Sequence, residues 1–120
     1  QVLLNLCTNA VQAMTPDGGR LTVRTADVEL ENAPGFNGAQ GVSGRYLKLA
    51  VSDTGCGIPH DQLEKIFEPF FTRRREAGGT GMGLAIVHGI VRGYGGKIEV
   101  RSREGQGTTF VIWWPAAAAD

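Results

Sequence analysis

Net charge is the first thing this sequence lacks: twelve Lys and Arg are matched by twelve Asp and Glu over 120 residues. Without it there is no bulk attraction of the kind that nucleic-acid and anionic-membrane binders use, so any anion site must be local. Long apolar runs are missing as well. No stretch approaches the ~20 residues of a membrane-spanning helix, and no basic segment leading into an apolar one opens the chain, so the expectation is a soluble domain with no membrane contact of its own. Cysteine is scarce. Cys7 and Cys56 lie far apart and outside any Cys-x-x-Cys spacing, and are expected as buried thiols of a reducing compartment, by default the cytoplasm. No His-Glu-x-x-His or comparable ligand spacing occurs. A single domain of this length can bury roughly two-thirds of the surface its unfolded chain exposes, so no disulfide or metal staple is required.

Glycine is abundant instead. The 18 glycines are about twice the usual share of ~7%, and they fall in clusters that separate periodic segments. Helical spacing is read over 1–14, 60–68 and 82–94, and strand alternation over 20–28, 45–53, 97–102 and 108–114. This is a mixed α/β pattern. Asp17-Gly18-Gly19 reads as a turn after the first helix, and the uncharged, glycine-rich 32–44 segment as a long hairpin connection or insertion. Gln1 already lies inside the apolar periodicity with no capping residue before it, so the first helix is expected to be N-terminally truncated. Residues 116–120, after Pro115, are expected as a disordered tail.

Four segments carry chemistry. On the first helix Gln1, Asn5, Asn9 and Gln12 recur at i, i+4, i+8 and i+11 as an uncharged polar stripe on an apolar rod. Such a stripe either faces a ligand or cation, where an amide oxygen suits Mg²⁺ beside phosphates, or forms a buried hydrogen-bond network. In the second segment, alternation puts Leu47, Leu49, Val51 and Asp53 on one inward face. An inward carboxylate needs a donor. The exocyclic amine of adenine is one candidate, in a charge-assisted bond of roughly 1.5–3 kcal/mol, and capping of local amides by an Asp-x-Gly turn is the other. Gly55 and Gly57 would let backbone approach a flat ring. Asp-Thr-Gly also occurs in aspartic proteases, but no second such loop supplies a dyad.

In the third segment Leu63, Ile66, Phe67 and Phe70 anchor a stretch stopped by Pro69, followed by Arg73-Arg74-Arg75 and then by Gly78-Gly79-Thr80-Gly81-Met82-Gly83-Leu84. Glycines running into an apolar helix offer unpaired N–H groups to an anion, while the arginines are either phosphate ligands or a solvated run. Neither the Lys-Ser/Thr of a P-loop nor Gly-x-Gly-x-x-Gly after a strand is present. The fourth segment, Gly105-Gln106-Gly107-Thr108-Thr109-Phe110, directs the Thr108 hydroxyl to the face of Phe110 and Ile112, in what is otherwise a hairpin turn.

In this order NLxxNAxxAM, DTGCGIP, IFEPFF, GGTGMGLAIV and GQGTTF resemble the N, G1, F, G2 and G3 boxes of the histidine-kinase ATP-binding domain, in the superfamily of gyrase, Hsp90, MutL and histidine kinases. The resemblance covers nearly the whole chain. It implies a two-layer α/β sandwich of the Bergerat type over 1–115, with a mixed, mostly antiparallel sheet and helices on one face. It further implies ATP and Mg²⁺ as ligands, with Asn9 on the metal, Asp53 on adenine, Gly55 and Gly57 beside the base, Gly79, Gly81 and Gly83 at the phosphates, and Thr108 on the adenine side. Ile58, Phe70, Thr80, Met82 and Leu84 complete the implied nucleotide-binding set. Residues 72–80 would be the lid, with Arg73 or Arg74 as phosphate contact. The eight glycines at 55, 57, 78, 79, 81, 83, 105 and 107 would flank one Mg·ATP pocket. Gln12 departs from relatives that carry a basic residue there, so no second phosphate clamp is expected from this helix.

Asn5 discriminates within the superfamily. The gyrase, Hsp90 and MutL branch is expected to place a glutamate there to activate water, and an asparagine has no basic carboxylate for that proton. The implied activity is therefore transfer of the γ-phosphoryl group to a histidine on a separate dimerisation domain, with a response regulator downstream and a full-length homodimer that is free to be membrane-anchored. Neither His60, beside the adenine loop, nor His88, within an apolar helix, is a credible acceptor. A non-catalytic nucleotide-binding module and a serine kinase of the anti-sigma-factor type are the competing readings.

Overall fold

A computed structural model of the chain describes residues 2–33, 42–68 and 83–115. Helix α1 (Val2–Ala13) buries Val2, Leu6 and Ala10, one side chain per turn along a single stripe. The chain then turns, with the Gly18 N–H donating to the Met14 carbonyl, into strand β1 (Leu21–Ala33) and its antiparallel partner β2 (Val42–Asp53). A three-residue 3-10 turn, His60–Gln62, precedes helix α2 (Gly83–Gly93), which leads to strands β3 (Lys97–Arg103) and β4 (Gly107–Pro115). The strand order is β1-β2-β4-β3, with antiparallel pairing throughout.

Both helices contact the sheet, and one core joins the layers: Val2 and Leu6 of α1, Val87 and Val91 of α2, Leu49 and Val51 of β2, Phe110 and Ile112 of β4, and Ile66. Each such side chain contributes roughly 1.5–3 kcal/mol by leaving water. This is the two-layer sandwich expected from the sequence. On its helix-facing side the register stacks three rungs: Leu49, Ile112 and Ile98, then Val51, Phe110 and Val100, then Asp53, Thr108 and Ser102.

The structure departs from the sequence reading in four places. Leu47, expected inward, is 40% exposed. A 12-residue α1 reaches ~18 Å, whereas a 12-residue β2 runs to ~40 Å, so the helix layer cannot cover the whole strand. Strand β1 runs on to Ala33 and β2 starts at Val42, which takes both ends of the presumed 32–44 connection into the sheet. The expected helix at 60–68 is a series of tight turns, in which Leu63, Lys65 and Glu68 donate to the carbonyls of His60, Gln62 and Lys65. That i→i+3 spacing is typical of short pieces, and it still buries Ile66. The cysteines are not buried: Cys7 is half-exposed beside Leu6, and Cys56 is exposed on its loop. The remainder of the 32–44 connection, residues 34–41, and the 116–120 tail lie outside the described residues.

Candidate functional site

The last rung is where the sheet face changes character. Asp53 and Thr108 are the buried polar side chains among the described residues, at 7% and 4% exposure, and they are direct partners across β2 and β4. The Gly55 N–H donates to Asp53 Oδ1 at 2.8 Å, so the amide-capping turn is real. Beside Thr108 lies Ser102 of β3, a residue the sequence reading missed. Its hydroxyl accepts from the Ile58 N–H (2.7 Å), donates to the Gly107 carbonyl (3.0 Å) and meets Thr108 Oγ1 at 2.8 Å. The missed signal was alternation itself, since Ile98, Val100 and Ser102 share a face as plainly as Phe110 and Thr108 do. A cavity of about 380 Å³ at this end of the sheet is walled by Asp53, Ser102 and Thr108 together with Arg101, Arg103 and Thr109, which alternate to the other face of the strands.

The loop after Asp53 is held on both sides. The Cys56 N–H donates to the Ala13 carbonyl at the end of α1 (3.1 Å), and the Cys56 carbonyl accepts from the Gly105 N–H in the β3–β4 turn (2.7 Å). Its two glycines follow from that packing. A Cβ on Gly55 would stand 2.5 Å from the Ala13 carbonyl oxygen, and one on Gly57, at φ +73°, would run into the Arg103 carbonyl. What passes closest to the Cβ side of these two glycines in the structure is protein backbone. Ile58 is half-buried against the core and Thr54 Oγ1 accepts from the Arg20 N–H at 2.9 Å.

Asn5, in the polar stripe of α1, reaches the start of α2. Asn5 Nδ2 donates to the Gly83 carbonyl at 3.4 Å, a long bond joining the two helices. Asn9 is half-buried one turn further on, between that contact and the Ala13 contact with the loop. Gly83 is the first residue of α2, and Leu84 packs against the core. His88 stacks on Phe67 with centroids 5.1 Å apart, and Phe67 meets Phe110 edge-on, so His88 is a packing residue; His60 is exposed. Phe70, Arg73, Arg74, Gly79, Thr80, Gly81 and Met82, together with the 72–80 lid, lie outside the described residues.

The model of the family described as "Histidine kinase-, DNA gyrase B-, and HSP90-like ATPase" matches residues 1–118. The chain belongs to this ATPase family. Among relatives of the ATPase domain, it is 46% identical over 115 residues to the sensor kinase CckA of Brucella abortus, covering 96% of this chain and 12% of that protein. It is 44% identical over 115 residues to the sensor histidine kinase ZraS of Escherichia coli, covering 96% of this chain and 21% of that one. The ATPase domain thus spans about an eighth to a fifth of these curated relatives, which are sensor kinases. Among solved structures it superposes on the mycobacterial sensor histidine kinase MprB with a TM-score of 0.72 at 30% identity, covering 95% of this chain and 67% of that one. Full-length ShkA in complex with AMPPNP matches at a TM-score of 0.67 and 32% identity, over 99% of this chain and 22% of that one. The chain is an ATPase domain of the histidine-kinase type. Among the described residues of the ATPase domain no helix is long and apolar enough to cross a membrane.

Proposed function

We propose that the chain binds Mg·ATP on the helix-facing side of the sheet and presents the γ-phosphoryl group to a histidine on the dimerisation domain of a longer, homodimeric sensor kinase. The observation that carries this reading is the buried Asp53 carboxylate on the helix-facing side of the sheet, held by the Gly55 N–H and paired across the strands with the buried Thr108 hydroxyl. Full-length ShkA binding an ATP analogue supports it. Asp53 accepts from the adenine amine, with Thr108 next to it. Asn9 fits a hard cation, which takes neutral amide oxygens readily and completes its shell with phosphates and water. The start of α2 at Gly83 offers its N–H groups to the phosphates, and Gly79, Gly81 and Arg73 or Arg74 are assigned to the same phosphates from the motif alone.

Bound Mg²⁺ would screen the phosphate charge. The chain's own residues orient the nucleotide and withhold a base: the Asn5 amide is spent on the Gly83 carbonyl and carries no carboxylate to deprotonate water. The γ-phosphorus then breaks its bond to the β–γ bridging oxygen and forms one to an imidazole nitrogen of the acceptor, ADP leaving as the other product. A response regulator would take the phosphoryl group from there.

The test pairs the chain with its own dimerisation domain and γ-labelled ATP. Acid-labile phosphohistidine is expected, together with negligible phosphate release when the acceptor is omitted. An acid-stable product would move the assignment to a serine kinase, and rapid hydrolysis without acceptor would overturn it. Asn9→Ala should abolish the Mg²⁺ dependence of ATP binding in calorimetry.

A further inference from the structure

Ser102 carries three contacts and has one hydrogen. The Gly107 carbonyl cannot donate, so the Ser102 hydrogen goes to it (3.0 Å), and the Ile58 N–H supplies the hydrogen at 2.7 Å. Only one assignment then makes the 2.8 Å contact a hydrogen bond as well: Thr108 donates its proton to Ser102 Oγ. With two lone pairs accepting and its proton given away, Ser102 is saturated. Thr108 is thereby left with lone pairs alone to offer the cavity.

From this we infer that Ser102 is a positioning residue that sets purine selectivity by fixing the direction of the Thr108 hydroxyl proton. The inference rests on the ATP-site reading above. Its physical content is a wall of two adjacent acceptors, the Asp53 carboxylate and Thr108 Oγ1, both buried, where an unmatched polar group is costly. A 6-amino purine brings two hydrogens to such a wall. A 6-oxo purine in the same pose brings a third acceptor, O6, against two others. Because the Ser102 proton is held by a main-chain carbonyl, Thr108 cannot reverse its hydroxyl without losing a bond. The same side chain ties the loop through Ile58 to the strand that carries Thr108, so the base-facing segments are held in register by one oxygen.

The test measures ATP and ITP affinities calorimetrically for the 120-residue chain and for Ser102→Ala, Ser102→Thr and Ser102→Cys. Wild-type protein should prefer ATP. In Ser102→Ala the Thr108 proton is released to meet O6, so the ATP:ITP preference should narrow about tenfold, the ratio that one hydrogen bond of ordinary net strength supports. Ser102→Thr keeps the hydroxyl and should restore the preference. Ser102→Cys fills the space with a poor acceptor and should behave like Ser102→Ala even if the alanine variant folds badly. A purely structural role predicts equal weakening of both nucleotides, and an unchanged ratio in Ser102→Ala and Ser102→Cys would overturn the inference. Wild-type protein that binds both equally would also overturn it while leaving the ATP site standing. Wild-type protein that binds neither would remove the ATP-site reading itself.

Discussion

Two rungs of one sheet face, separated by a single intervening rung, are built for opposite purposes. Leu49, Ile112 and Ile98 sit under the helices, while the rung of Asp53, Thr108 and Ser102, on the same strands and the same side, is polar, with Thr108 and Ser102 hydrogen-bonded to each other and Asp53 accepting from the Gly55 N–H. The backbone ladder is continuous through both. What differs is the side chain alone: the middle of the sheet face is apolar and packed under the helices, while its end is polar and carries the site proposed for the nucleotide base. The division is open to experiment from either side. Phe110, 2% exposed in the rung between, belongs to the packing side, and Phe110→Ala should cost about 3–5 kcal/mol in urea unfolding. That is a large part of the ~5–15 kcal/mol a domain possesses. A loss below about 1 kcal/mol would mean that the boundary between the rungs has been drawn one step too late.

Asp53→Asn probes the other side. The amide oxygen still accepts from the Gly55 N–H, so the unfolding midpoint should hardly move. Nucleotide affinity should fall about tenfold to a hundredfold as the charge-assisted bond of roughly 1.5–3 kcal/mol is lost. A variant that unfolds more readily yet binds normally would assign Asp53 to packing after all. The smallest effect is expected across the sheet, where Ser52 Oγ and Thr109 Oγ1 form a hydroxyl pair at 2.9 Å much like that of Ser102 and Thr108. Ser52→Ala should cost about 0.5–1.5 kcal/mol of stability and leave the ATP:ITP preference untouched. A change in that preference would show that the selectivity attributed to Ser102 is a general property of the sheet.

The division was legible in the sequence wherever period and polarity spoke together. Alternation placed Asp53 inward with Leu49 and Val51, and Thr108 with Phe110 and Ile112, and the structure has them so. The helix pattern found Val2, Leu6 and Ala10 only by implication, from the polar stripe beside them. Three things could not be read. The exposure of Leu47 depends on where a helix ends above the sheet, a length mismatch that no local pattern encodes. The role of Gly55 and Gly57 depends on which backbone passes beside them, here Ala13 and Arg103 from opposite ends of the chain. Ser102 was passed over because one serine at the end of a charged strand looks ordinary, and its three partners come from residues 58, 107 and 108.

Strand β1 lies at an edge of the sheet and carries Leu21 and Val23 at 37% and 43% exposure. An unpaired edge bearing β-branched and aliphatic side chains is a template for another chain. Along this one, Arg24, Asp27 and Glu29 stand exposed at intervals of two or three residues. Any strand added there would set its own side chains beside those charges and take part of their water. Charge-neutral substitutions on this strand, the farthest from β3, are expected to be felt first as self-association at high concentration, with nucleotide affinity unchanged.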